Sequence, residues 1–113
     1  MASEFVTELT LAEPLTEISK HPLSIVDIYA TWCGTCRIMA PKYEQVAKET
    51  PQFKFFKIDG EKYSDFSASL PVENLPYIAV FHKGEFVGGK TLSKKEVLVE
   101  MLEVISQKIG AEQ

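Results

Sequence analysis

The chain has 113 residues, of which 45% are hydrophobic and 25% are charged, with a formal net charge of −4 and a pI near 5.2. This composition is typical of a single globular domain spanning 1–113, and it excludes an intrinsically disordered chain. The acidic balance argues against nucleic acid as a partner, because phosphate binding requires a basic patch. No apolar run approaches the length of a membrane span, so we expect no membrane association.

Hydrophobic periodicity predicts four helices and four strands. In chain order these are a short helix at 14–19, a strand at 23–30, a helix from residue 35, a strand at 53–58, a short helix at 63–70, strands at 77–81 and 86–87, and a helix from residue 93. Strands that are linked by helices pair in parallel, whereas a tight turn at 82–85 makes the last pair antiparallel. The predicted fold class is therefore α/β, a mixed central β-sheet with helices on both faces. A capping box at Ser93 and Glu96 is predicted to open the last helix.

The only two cysteines, Cys33 and Cys36, lie at the junction of the first predicted strand and the second helix. Backbone N–H groups and the dipole at a helix N-terminus favour a thiolate at Cys33, which we expect to be the more exposed thiol. A second thiol one turn later can form a disulfide with it and break it again.

Two alternatives to redox chemistry remain open for the cysteine pair. One is a permanent disulfide or a pair of inert thiols, although so short a loop adds little stability. The other is a zinc or iron–sulfur half-site completed across a dimer. We expect His21 and His82 to be surface residues and predict no metal site.

The N-terminal segment carries Glu4 and Glu8 and has no apolar region like that of a secretory signal. We therefore expect a cytoplasmic protein. Cysteines in a reducing compartment are more often catalytic or metal-binding than structural. For a chain of this size a monomer is the default expectation.

Several segments resemble the thioredoxin family, in matching order along nearly the whole chain. They are Val26 to Arg37, which contains Trp32-Cys33-Gly34-Thr35-Cys36, then Met39-Ala40-Pro41, Asn74-Leu75-Pro76, Phe81 to Gly84, and Leu92-Ser93-Lys94. The resemblance implies a thioredoxin-like fold and a thiol–disulfide oxidoreductase that reduces protein disulfides. It also implies that no cofactor is bound and that electrons come from a thioredoxin-reductase-like donor.

The resemblance implies roles for individual residues. Cys33 attacks the substrate disulfide, and Cys36 resolves the mixed disulfide. The substrate-docking residues are Trp32, Gly34, Thr35, Leu75 and Pro76, with a cis peptide bond before Pro76; a trans turn proline is the alternative there.

Asp27 interrupts the apolar strand that leads to the cysteines. A carboxylate in such a strand is costly to desolvate unless it has a partner or a function. Burial raises its pKa, which makes it a candidate proton acceptor for the thiol of Cys36, directly or through water. The alternative is an aspartate that is hydrogen-bonded for purely structural reasons.

The chain departs from the family's usual pattern at three places. Thr35 replaces a proline, Tyr29 stands where a second tryptophan is common, and the stretch 86–91 is shorter than usual. Threonine restores a backbone donor that proline lacks, and a donor aimed at the Cys33 sulfur stabilises the thiolate. We therefore predict a less reducing potential than that of a proline-bearing relative. A thiol oxidase or isomerase, and a binding module that keeps the fold, are the alternative functions.

Overall fold

The computed structural model describes residues 4–112, which form four helices and one five-stranded sheet. In chain order the elements are β1 (Val6–Glu8), α1 (Pro14–Ile18), β2 (Leu23–Tyr29), α2 (Gly34–Glu49), β3 (Lys54–Asp59), α3 (Ser64–Ala68), β4 (Tyr77–His82), β5 (Glu85–Thr91) and α4 (Lys95–Glu112). The strand order is β1-β3-β2-β4-β5. The first three strands of that order pair in parallel, and the pairs β2–β4 and β4–β5 are antiparallel. The predicted α/β class with a mixed sheet is confirmed.

The central strand β2 is buried on both faces, which explains its nearly continuous apolar sequence. Successive side chains of a strand point to opposite faces of the sheet. Ile25 accordingly packs with Met39 of α2 and Leu98 of α4, whereas Val26 belongs to a second cluster with Phe66 of α3. Helices cover both faces, as predicted. The odd-numbered positions of β2, including Asp27, thus lie beneath α2.

Strand β1 is absent from the sequence-based prediction. It has only three residues, too few to display the alternation that identifies a strand. It forms because the edge of β3 offers hydrogen-bonding partners, with Val6 paired to Phe55 and Glu8 paired to Lys57. The strand therefore depends on a tertiary contact rather than on a local sequence signal.

The hairpin of β4 and β5 confirms the predicted turn but extends the predicted second strand. Lys83 and Gly84 have φ values of 54° and 85°, the pair of positive values required by a type I′ turn. A Cβ on Gly84 would lie 2.7 Å from the Cβ of Ser19, so glycine is also required there by space. The residues after the turn form one strand as far as Thr91, rather than a short strand and a loop.

Two helix boundaries differ from the prediction by two residues, and three others differ by one. Helix α3 ends at Ala68, before Leu70. Helix α4 begins at Lys95, and the Leu98 amide donates to the carbonyl of Lys94 at 3.3 Å, so the predicted capping box that begins at Ser93 is one residue too early. No helix among the described residues is long and apolar enough to cross a membrane.

Candidate active site

The two cysteines lie directly after β2, at the N-terminus of α2. Cys33 is the N-cap, with extended backbone angles (φ −84°, ψ 108°), and Gly34 is the first helical residue. Cys36 follows one turn later, with 5.3 Å between the two Cα atoms, and the two residues form a disulfide. That separation is within the range found for disulfides in general. The predicted placement of a redox-capable pair at a helix N-terminus is confirmed.

Both cysteines are buried in this disulfide form, so the expectation that Cys33 is the more exposed thiol of the reduced pair stays a prediction. Cys33 is 6% exposed and Cys36 is 5% exposed. The side chain of an N-cap residue folds back over the first turn of its helix, and this turns the Cys33 sulfur inward. The exposed part of the motif consists of its neighbours Trp32, Gly34 and Thr35, with Trp32 65% exposed.

One backbone amide donates a hydrogen bond to the Cys33 sulfur. It belongs to Cys36, with 3.1 Å between nitrogen and sulfur. Among the described residues, the amide of Thr35 makes no such bond in the disulfide form. Thr35 is exposed. Its effect on the reduced pair stays a prediction.

The loop before β4 brings Leu75 to the cysteines. Leu75 is partly buried and packs against the cluster of Ala30, Cys33 and Cys36. The Leu75–Pro76 peptide bond is cis, as the resemblance implies, and Pro76 is buried. Of the predicted docking residues, Leu75 therefore lies beside the disulfide, and Trp32, Gly34 and Thr35 adjoin the cysteines in the chain.

Hydrogen bonds to the end of β5 hold this loop in place. The Thr91 hydroxyl donates to the carbonyl of Asn74 at 3.0 Å. The Leu92 amide donates to the carbonyl of Pro76 at 3.3 Å. The loop is thus attached on both sides of Leu75, which keeps that side chain beside the disulfide.

Asp27 lies in the middle of β2 with its carboxyl group under α2. The residue is 4% exposed, and its Oδ1 has no hydrogen-bond partner among the described residues. Burial raises the pKa of Asp27 to about 7, although the positive charge of Lys57 lowers it and the negative charge of Glu8 raises it. A carboxyl group with such a pKa exchanges protons near neutral pH.

A cavity of about 300 Å³ connects Asp27 with Cys36. Its lining includes Asp27, Cys36, Ala40 and Lys57. This volume is large enough to hold water, so a proton can pass between the Cys36 thiol and the carboxylate without direct contact. The structure therefore brings together the three residues predicted to carry the chemistry.

The sequence analysis assigned no site role to three residues around Asp27, namely Glu8, Tyr29 and Lys57. Lys57 lies beside Asp27 in the register of β2 and β3, and its Nζ is 3.8 Å from Oε1 of Glu8. The Tyr29 hydroxyl donates to the Glu8 carboxylate, with 2.9 Å and 3.0 Å to the two oxygens. A lysine inside an apolar strand was a signal for Lys57. The sequence contains no comparable signal for Glu8.

The two histidines lie outside this site. His82 pairs with Leu23 at the start of β2, at the opposite end of the strand from Cys33. His21 lies 3.4 Å from the Glu17 carboxylate. Both are partly exposed. In the described part of the chain, no group of three or more His, Cys, Asp or Glu side chains is placed to hold a metal ion.

The fold and the cysteine pair define a thiol–disulfide oxidoreductase. Residues 5–104 match the family model described as Thioredoxin. The chain therefore belongs to the thioredoxin family, whose members act on protein disulfides.

Individual relatives agree with this assignment. Thioredoxin-1 of Saccharomyces cerevisiae is 35% identical over 78 residues, which cover 69% of this chain and 76% of the relative. Thioredoxin of Mycoplasma genitalium is 35% identical over 80 residues, which cover 70% and 78%. A solved structure of Plasmodium falciparum thioredoxin has 30% identity and a TM-score of 0.80, covering 86% of this chain and 96% of that one.

Proposed function

We propose that this chain reduces disulfides in other proteins, with Cys33 as the nucleophile and Cys36 as the resolving thiol. The observation that carries the proposal is the disulfide itself, which lies at a helix N-terminus beside a buried carboxyl group. A thiolate at Cys33 is stabilised there by the helix dipole and by the amide of Cys36.

The reaction proceeds in two exchanges that conserve electrons. The Cys33 thiolate attacks one sulfur of the substrate disulfide, and the other sulfur leaves as a thiolate. The Cys36 thiol then loses its proton, and its thiolate attacks the Cys33 sulfur of the mixed disulfide. The Cys33–Cys36 disulfide forms, and the substrate leaves with both sulfurs reduced. Two electrons have passed from the protein dithiol to the substrate.

Asp27 accepts the proton of Cys36 in the second exchange. Its carboxyl group lines the same cavity as Cys36, and its pKa of about 7 lets it take up a proton near neutral pH. An ordinary thiol with a pKa near 8.5 is mostly protonated at that pH, so a proton acceptor is needed for rapid resolution.

An extended segment of the substrate docks beside the disulfide. The exposed side chain of Trp32 and the partly buried Leu75 provide apolar surface next to the cysteines, and we assign Gly34, Thr35 and Pro76 to the same docking site. Among the described residues, Gly34 has no neighbour within 4 Å of the position of a Cβ, so substrate backbone can approach there.

The oxidised chain must receive two electrons before the next cycle. We assign this step to a thioredoxin-reductase-like partner, since the chemistry of the pair needs only another dithiol and no bound cofactor. The cytoplasm as compartment and a monomeric state stay predictions. Fractionation of cells and sedimentation of the purified chain would check them.

The experiment that tests this function compares Cys33→Ser with Cys36→Ser. The native chain, supplied with dithiothreitol, should reduce the disulfides of insulin, and both variants should lose this activity. Only Cys36→Ser should accumulate a covalent mixed disulfide with insulin, because it keeps the nucleophile and lacks the resolving thiol. Accumulation in the Cys33→Ser variant instead would reverse the two roles. An inactive native chain would contradict the proposed function.

A further inference from the structure

Three charged residues form one row across the parallel part of the sheet. The register pairs Glu8 on β1 with Lys57 on β3, and Lys57 with Asp27 on β2. Residues paired across neighbouring strands point to the same face, and the row two residues earlier is buried beneath α2 and α4. One ammonium group is therefore placed between a buried carboxyl group and a second carboxylate at the sheet edge.

The outer carboxylate is held in place by Tyr29. The hydroxyl of Tyr29 donates to Glu8 at 2.9 Å and 3.0 Å from its two oxygens, while Oε1 of Glu8 is 3.8 Å from the Nζ of Lys57. Burial raises the pKa of Tyr29, and the bond to Glu8 raises it further, so the hydroxyl remains a donor at neutral pH. Glu8 is thus kept over β3 rather than turned out into solvent.

Ionisable groups approach Asp27 from three strands and one helix. They are Glu8 of β1, Tyr29 of β2, Lys57 of β3, and Cys36, Arg37 and Tyr43 of α2, whereas β4 contributes the apolar Ile78. Among these charges, those of Lys57 and Glu8 act most strongly on Asp27. The Tyr43 hydroxyl donates to the carbonyl oxygens of Phe56 at 2.6 Å and of Ile25 at 3.1 Å.

We propose that Glu8 and Tyr29 are positioning residues that act through Lys57 to control the proton transfer from Cys36 to Asp27. The proposal rests on the proton-accepting role of Asp27 in the proposed function. Glu8 competes with Asp27 for the single ammonium group and adds a second negative charge to the row. Both effects favour the protonated form of Asp27 and make its carboxylate a stronger base. Tyr29 maintains the competition by fixing Glu8 beside Lys57.

The test compares Glu8→Gln and Tyr29→Phe with the native chain and with a matched control, Glu49→Gln. The control removes a carboxylate that lies 3.4 Å from the Nζ of Lys95. It therefore changes the net charge by the same amount as Glu8→Gln and also removes an ion pair, but Glu49 lies outside the row. The first readout is the titration of the Asp27 carboxyl carbon by NMR in the oxidised protein at low salt. The second is the pH dependence of insulin reduction with dithiothreitol.

We expect Glu8→Gln to lower the apparent pKa of Asp27 by roughly half to one pH unit, as for unit charges two strands apart in a partly buried site. The acidic limb of the rate profile should move by the same amount, because resolution requires ionised Asp27. Tyr29→Phe should shift the apparent pKa of Asp27 and the rate profile in the same direction but by a smaller amount, because the Glu8 side chain is then free to turn into water. Glu49→Gln should match the native chain.

An unchanged Asp27 titration in Glu8→Gln, or an equal shift in the Glu49→Gln control, would overturn the inference. If Glu8→Gln does not fold, Tyr29→Phe decides, and a native titration in that variant overturns it as well. A shifted titration without a shifted rate profile would show that Asp27 is not the proton acceptor, and the inference would fail with that role. A native chain that does not reduce insulin would contradict the proposed function, whereas the Asp27 titration does not depend on activity.

Discussion

Strand β2 contains two buried polar side chains whose surroundings differ completely. Ser24 is fully buried and its hydroxyl donates to the carbonyl of Ile18 at 3.3 Å. Asp27 is nearly as buried, yet its Oδ1 has no partner in the described part of the chain. Ser24 faces the side of α1, whereas Asp27 lies under α2 beside the cysteines. Burial of a polar group is therefore not by itself a sign of function.

The difference lies in what each environment does to the polar group. A hydrogen bond compensates the Ser24 hydroxyl for its lost water, so it contributes to stability. The carboxyl group of Asp27 lacks that compensation at one oxygen, and its ionised form is disfavoured. A structure retains such a group at a cost in stability, which is understandable where the group exchanges protons with a reactive thiol.

The largest expected effect is the pH-dependent stability of Asp27→Asn. The pKa of Asp27 is about 7 in the folded chain, against an ordinary value of 3.8 for an aspartate in water, so the folded state holds the proton more tightly. The native chain therefore loses stability as pH rises from about 4 to 7, by up to about 4 kcal/mol. The Asp27→Asn variant should not lose stability in this way, because asparagine does not ionise.

Urea unfolding of the oxidised proteins at pH 4 and pH 8 would measure this difference. The advantage of Asp27→Asn over the native chain should be larger at pH 8. The same substitution effect at both values of pH would mean that Asp27 is not destabilised by ionisation, and the contrast with Ser24 would disappear.

The next effect is on catalysis by the same variant. Removal of a general base typically costs at least about 10²-fold in rate, so Asp27→Asn should slow insulin reduction by roughly that factor at pH 7. The defect should decrease at higher pH, where Cys36 ionises without an acceptor. Ser24→Ala is the control and should retain native activity. A fully active Asp27→Asn would leave the two buried residues functionally equivalent.

A smaller effect is expected from Thr35→Pro. This substitution tests the redox potential of the cysteine pair independently of the buried carboxyl group of Asp27. Proline removes a backbone donor near the Cys33 thiolate, and hydrogen bonds to charged groups contribute about 1.5 kcal/mol or more. The potential should become more reducing by roughly 30 mV, a tenfold change in the equilibrium constant. Equilibration with glutathione, followed by Trp32 fluorescence, would measure it. A potential that is unchanged or less reducing would refute the role predicted for Thr35.

The smallest effect is expected for the stability of Ser24→Ala. This variant loses one neutral hydrogen bond, which is worth about 1 kcal/mol. The carbonyl of Ile18 keeps the amide of His21 as a donor at 3.2 Å, so the loss should not exceed that value by much. This loss of stability should be equal at pH 4 and pH 8, whereas the effect of Asp27→Asn on stability should depend on pH. A pH-dependent loss would show that Ser24 is coupled to a titrating group.

Much of the fold was predictable because its signals are local. The apolar run of β2, the helical spacing in α2 and the turn at Lys83 and Gly84 each identify an element within a short window of sequence. The features that were not predicted are a very short strand and the first residue of a helix. β1 has too few residues to show a period, and the first residue of α4 was misplaced because a capping pattern identifies a helix start only approximately.

The candidate site was predictable to the extent that its members interrupt a local pattern. Cys33 and Cys36 end a strand and begin a helix, and Asp27 breaks an apolar run. Lys57 also breaks such a run, but its partner was not predictable because pairing between strands leaves no trace in either strand alone.

The sequence by itself determined the class of fold, the reactive pair and the buried carboxyl group, because each depends on neighbours within one or two elements of the chain. Only the tertiary structure decided the row of Glu8, Lys57 and Asp27, and the hydroxyl of Tyr29 that holds its outer end. The physical reason is that the register of three separate strands creates these contacts. Electrostatic interactions depend on distance in space, and that distance is set by how the strands pair.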